Sequence, residues 1–235
     1  MKESTRHVRM RGLNILALTF SGLLALASGC RDTSINPSVD NVMLNVKASR
    51  SSLEKTDATL GISSVKVLLK RIRFGAAVSD DSVDVQSGIV AVPLDLNGGM
   101  TMVGVSRVRA GVYDRVKFQL HKPEDTEPIP DPEFREGESG NLRFSVIVRG
   151  TYGGVPFVYR SRVNAEQEQR LRTPVTIGEG GMTSVTLLVD PVEWFLSGGL
   201  ALDPALLSNS SAIDESIRTS FGEVFRDDNR DGRPD

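Results

Sequence analysis

The sequence predicts an all-β chain, an antiparallel β-sandwich of transthyretin- or immunoglobulin-like type with a short C-terminal helix. Three observations predict it. Apolar residues alternate with polar ones over several short runs, Gly and Pro turns separate those runs, and no alternation of helices with strands appears. The alternation is cleanest over 113–121. Val116, Phe118 and Leu120 point one way, and Arg115, Lys117, Gln119 and His121 the other. A period of two means one buried face and one wet face, so His121 is expected in solvent.

Further strands are expected over 42–48, 65–74, 89–96, 100–108, 142–149, 152–163, 171–177 and 182–189. The doublet Leu68-Leu69 interrupts the second and suggests a bulge. Pro93 lacks a ladder donor and puts the third at an edge or bulge. Asn97-Gly98-Gly99 signals a hairpin joining the third and fourth. Between 122 and 141 lie four prolines with Glu124, Asp125, Glu127, Asp131, Glu133, Glu136 and Glu138. Prolines and like charges disfavour a packed element, so this segment is expected to be a mobile acidic loop.

The N-terminus carries an address. Lys2, Arg6, Arg9 and Arg11 precede a short apolar run over 13–27, too short to cross a bilayer and suited to a secretory signal peptide. The sole cysteine follows in Leu26-Ala-Ser-Gly-Cys30. This resembles the lipobox of bacterial lipoproteins. The resemblance implies cleavage before Cys30 and acylation of its thiol. Several acyl chains would hold the protein stably, where one alone is marginal. Residues 31–38 form a polar tether, and Arg31 after the cysteine favours the outer over the inner membrane by analogy with sorting rules. The expected organisation is a signal peptide over 1–29, lipidated cysteine and tether over 30–38, a sandwich over 39–200, and a helix with an Asp/Asn-rich tail over 201–235.

Composition narrows the function. Lys plus Arg is 28 against 30 acidic residues, and no basic tract exists to attract nucleic acid. A single cysteine excludes a disulfide framework and a multi-cysteine metal centre. His121 is the one histidine left once the leader is removed, too few for a histidine-rich zinc site. Neither a nucleophile elbow, a phosphate loop nor a dinucleotide fingerprint is present. A glycosidase would need only two carboxylates, and the sequence does not place any two together.

The motifs Ala110-Gly111-Val-Tyr113, Arg149-Gly-Thr-Tyr152 and Val189-Asp-Pro-Val-Glu-Trp194-Phe195 resemble a group of uncharacterised bacterial secreted sandwich lipoproteins. By fold analogy these are akin to transthyretin-like and carbohydrate-associated envelope modules. The resemblance implies a location and a fold over 39–200, and no reaction. Gly111 would permit a tight turn. Tyr113, Trp194 and Phe195 are expected in the core, with a sugar-stacking platform as the alternative.

The C-terminus changes period. Ile213, Ile217, Phe221 and Val224 or Phe225 recur at helical spacing, with Ser211 as N-cap. Then comes Asp227-Asp-Asn229-Arg-Asp231-Gly232-Arg233-Pro-Asp235. Oxygen donors at positions one, three, five and nine, glycine at six, and the Arg233 backbone carbonyl at seven match the start of a calcium loop. The usual glutamate at twelve is absent from the chain as read. Asp227, Asn229, Asp231, Arg233 and Asp235 are therefore candidate Ca2+ ligands of low affinity. A solvated polar tail is the other reading. No other cofactor is expected. The function expected is a noncatalytic envelope lipoprotein that binds or supports a glycan or an envelope protein. The alternative is a calcium-stabilised carbohydrate-binding module or carbohydrate-active enzyme on the same fold.

Overall fold

The computed structural model describes residues 40–49, 59–136, 142–219 and 221–235. The expected signal peptide, Cys30 and the expected tether lie outside the described residues. Residues 40–235 fall within one compact unit. The strands are β1 (Val42–Ala48), β2 (Leu60–Ala76), β3 (Ser82–Gln86), β4 (Val90–Pro93), β5 (Met100–Ser106), β6 (Gly111–Leu120), β7 (Arg135–Glu136) and β8 (Leu142–Arg143). They continue as β9 (Val146–Tyr152), β10 (Val155–Ser161), β11 (Ala165–Ile177), β12 (Thr183–Val189), β13 (Leu196–Ser197), β14 (Leu200–Ala201) and β15 (Phe221–Arg226). One helix, α1 (Ser210–Thr219), is described.

The main strands form one curled sheet in the order β10-β9-β2-β6-β11-β15-β12-β1-β5, with β3 and β4 also on β2. At its far end β5 turns back toward β3 and β4. Thr101 Oγ1 donates to the Pro93 carbonyl at 2.6 Å, and Ser106 Oγ to that of Asp84 at 3.4 Å. The curl thereby wraps the main core. Phe74 meets Tyr113 edge-on, Phe118 meets Phe221, and Tyr159 meets Phe195. Trp194 and Phe195 are fully buried, and Ile213 and Ile217 of α1 join them. Each such apolar side chain contributes about 1.5–3 kcal/mol by leaving water.

Most pairings are antiparallel, as expected of short strands joined by Gly and Pro turns. Two are not: β1 runs parallel to β12 from Val42↔Thr183 to Ala48↔Val189, and β11 runs parallel to β15 at Leu171↔Val224. Alternation reports which face is buried and is silent on strand direction.

Several local expectations are corrected. The turn at Asn97-Gly98 exists, with Gly98 at φ 93°, but β4 pairs with β2 and β5 with β1. The turn therefore links two parts of the curl and makes no ladder hairpin. Leu68-Leu69 is no bulge. Leu69 faces the core, while Leu68 packs on the outer face with Phe134, Phe144 and Ile147, so β2 is buried on both faces there. The register shift lies further on, between Lys70 and Arg73, with Arg71 at φ 55°. Phe221, Val224 and Phe225 leave the helix and enter β15, which pairs with β12 and with β11. Backbone partners on both sides override an apolar spacing that reads equally as helix. Ser211 lies inside α1, which begins at Ser210 after a 3-10 turn over Leu207–Asn209. Gly111 opens β6 without a left-handed φ. A methyl there would make ordinary contact with the Tyr113 ring, so no tight turn depends on it.

Candidate functional site

Two polar constellations stand out, the acidic segment after β6 and the Asp-rich curl after β15.

The acidic segment is docked over residues 122–136, contrary to the expectation of a mobile loop. Strands β2 and β9 present basic side chains outward, and the segment brings carboxylates to them. Lys66 Nζ lies 2.6 Å from Asp131 Oδ2 and 2.9 Å from Glu133 Oε2. Arg149 reaches Glu133 at 3.2 Å. Lys70 pairs with Glu127, and Arg143 with Asp125. Asp131 also accepts the Glu133 N–H at 3.0 Å and caps the turn that drives Phe134 into the outer cluster. Apolar anchoring at Phe134 and ion pairs around it hold the strap across the sheet.

His121 is corrected in the same place. It is 2% exposed, because the strap covers the end of the face that alternation marks as wet. Its Nε2 lies 2.6 Å from Glu127 Oε2, and its Nδ1 is buried without a partner. Burial pushes the Glu127 carboxyl up, but Lys70, the Glu124 N–H and His121 outweigh it and hold it at about 2. Burial likewise opposes, and Lys66 overrides, the ionisation balance at Asp131, which ends below the ordinary value. The Lys66 hydrogen bond lowers Glu133 as well, and Asp131 in turn raises Lys66. All three carboxylates are thus fixed as anions. A carboxyl that acts as general acid needs its pKa raised, the opposite of the direction at these three.

The curl after β15 is tied to the outer face of β12. Asp227 is fully buried. Its Oδ2 accepts from Thr186 Oγ1 at 2.8 Å and from the Gly232 N–H at 3.1 Å, while Oδ1 is buried with no partner. Asn229 Oδ1 accepts the Asp231 N–H at 3.0 Å, and Asp231 Oδ1 accepts the Arg233 N–H at 2.8 Å. Gly232 takes φ 78°, which the turn requires. Asp235 Oδ2 is taken by the Asp228 N–H at 2.6 Å. Lys47 of β1 donates to the Asp231 carbonyl at 2.9 Å. The sequence thus brings Asp227, Asn229 and Asp231 into one curl, with Asp235 set on Asp228. Among the described residues, no three His, Cys, Asp or Glu side chains converge as a metal-binding group. Sequence reasoning missed Lys47, Thr186 and the strap's basic partners; the outward lysines of the second strand were the signal for the last.

Tyr113, Tyr159, Trp194 and Phe195 are buried, which matches the core expectation, while Tyr152 and Phe157 are half-buried. The Tyr113 hydroxyl donates to the Arg109 carbonyl at 2.7 Å.

The solved structure of MbnP from Methylosinus trichosporium aligns with this chain at a TM-score of 0.40 and 9% identity, covering 72% of this chain and 81% of that one. No protein-family model matches the chain, and no curated protein does.

Proposed function

We propose that this chain is a noncatalytic, lipid-anchored module of the bacterial cell envelope, anchored through Cys30 and held by a short tether. The observation that carries the noncatalytic reading is the fate of its best-placed acids. Glu127, Asp131 and Glu133 are spent on His121, Lys70, Lys66 and Arg149 and kept ionised. The leader and lipobox support the location, with the outer membrane favoured.

An envelope protein suits this body better than a glycan. Among the described residues every aromatic side chain is at least half-buried, which leaves a sugar little stacking surface. Apolar side chains are exposed instead at Val155, Val158, Leu200, Leu206 and Leu207. They lie on β10 and on the elements tied to the β9–β10 hairpin, since Tyr152 bonds the Ala201 carbonyl and Tyr159 that of Ser210.

The test combines fractionation with turnover. The full chain should sediment with membranes, and Cys30→Ser should release it. Neither form should hydrolyse envelope glycans. Turnover that Asp131→Asn or Glu133→Gln abolishes would overturn the noncatalytic reading, and an unchanged distribution of Cys30→Ser would overturn the anchor.

A further inference from the structure

We propose that the curl 227–233 is a calcium site and that Lys47 is its built-in competitor. Asp227, Asn229, Asp231 and the Arg233 carbonyl would supply the oxygens. The observation that points to a cation is Asp227. Its side chain is fully buried at the first position of the curl, and the bond from the Gly232 N–H across the loop turns its Oδ2 toward the curl. One oxygen serves the fold through Gly232 and Thr186, and the other has no donor at all. A buried anionic oxygen without a partner is costly, and a coordinated metal is one of the few ways to satisfy it.

The donor chemistry selects the ion. Two carboxylates, an amide and a main-chain carbonyl are all hard oxygen ligands, with neither sulfur nor imidazole among them. Such a set suits calcium, which tolerates irregular geometry, over magnesium, which demands a near-ideal octahedron. Asp228 is not a ligand, because it accepts the Ser184 N–H at 2.9 Å and pairs with Arg226.

Lys47 brings the opposing charge. Its ammonium bonds the Asp231 carbonyl, and a Cβ placed on Gly232 would run into it. A cation therefore already rests against the glycine of the curl, and calcium has to bind beside it or displace it. Arg230 and Arg233 add two more positive charges on the same loop. Together they set the affinity low, on the order of 10⁻⁴–10⁻³ M, the range of extracellular calcium modules. Such a site fills outside the cytoplasm and stays empty within it.

The test is a calorimetric titration of calcium chloride into the full chain in detergent after removal of divalent ions, with thermal melts alongside. Saturable heat and a raised Tm are expected for the natural sequence. Lys47→Met should bind several-fold tighter. Asp227→Asn and Asp231→Asn should lose the heat and the shift; the Asp231 side chain is exposed, so that variant stays readable if Asp227→Asn fails to fold. Heat that persists unchanged in Asp231→Asn, an equal response to magnesium, or silence of both the natural sequence and Lys47→Met at millimolar calcium would overturn the assignment. None of these outcomes depends on lipidation, so the site and the envelope reading fail separately.

Discussion

His121 Nε2 lies 2.6 Å from Glu127 Oε2, across a contact that seals the end of β6 beneath the acidic strap. The same carboxylate group holds Lys70 of β2 and accepts the Glu124 N–H at 2.8 Å. Three separate segments meet on one side chain, and the strap's position depends on its charge.

Glu127→Gln should loosen the strap. It leaves Lys70 without its anion, at a cost of about 2 kcal/mol for a largely buried pair. The pH dependence follows from the lowered pKa. A group whose folded pKa falls from 4.5 to about 2 stabilises the fold above the unfolded value and loses that contribution as pH drops through the folded one. The natural protein should therefore lose stability between about pH 4.5 and pH 2, and Glu127→Gln should lose less over that window. Equilibrium unfolding at a series of acid pH values measures both slopes.

Phe134→Ala should release the strap without unfolding the sandwich. Phe134 is fully buried, but its cluster of Leu68, Phe144 and Ile147 lies outside the main core. Removing a buried phenyl ring costs about 3–5 kcal/mol, enough to undo a local docking. Protease cleavage within 122–136 should accelerate, while hydrogen exchange in β6 and β11 stays protected. Loss of protection throughout would show that the strap is part of the global fold.

Asn41→Ala should destabilise the whole molecule. Asn41 is 2% exposed and bonds the Val108 carbonyl and N–H at 2.9 and 2.8 Å and the Gly178 carbonyl at 2.8 Å. It clamps the start of β1 to the β5–β6 connection and to the residue that follows β11. Leaving those buried groups unpaired should cost about 2–4 kcal/mol, read as a lower urea midpoint with an unchanged slope.

Gly150→Ala should be more damaging than its exterior counterpart Gly180→Ala. A Cβ at Gly150 would strike the Gly61 carbonyl of the neighbouring strand, whereas one at Gly180 meets nothing. Backbone against a methyl group has no cheap relief, so a loss of about 1–3 kcal/mol is expected. A melt comparing the two variants decides it.

The fold class was legible because burial imposes a period of two on 113–121 wherever the chain lies in the sheet. The curl at 227–233 was legible because its spacing is local. What escaped depends on distant partners. The strap reads as disordered by its own prolines and charges, yet Lys66, Lys70 and Arg149 neutralise it from strands far away in sequence. The same cover buries His121. Phe221 to Phe225 read as helix because local spacing does not reveal that β11 and β12 leave a slot between them. Aromatic residues at 194 and 195 were placed in the core correctly, since large rings seldom stay in water without a ligand to hold.

The central claim is that this body is carried on the envelope by Cys30. Mass spectrometry of the N-terminal peptide of the protein isolated from bacterial membranes tests it most directly. The account predicts a mature chain that starts at Cys30 and carries diacylglyceryl on its sulfur. An unmodified thiol, or cleavage at any other bond, would contradict it.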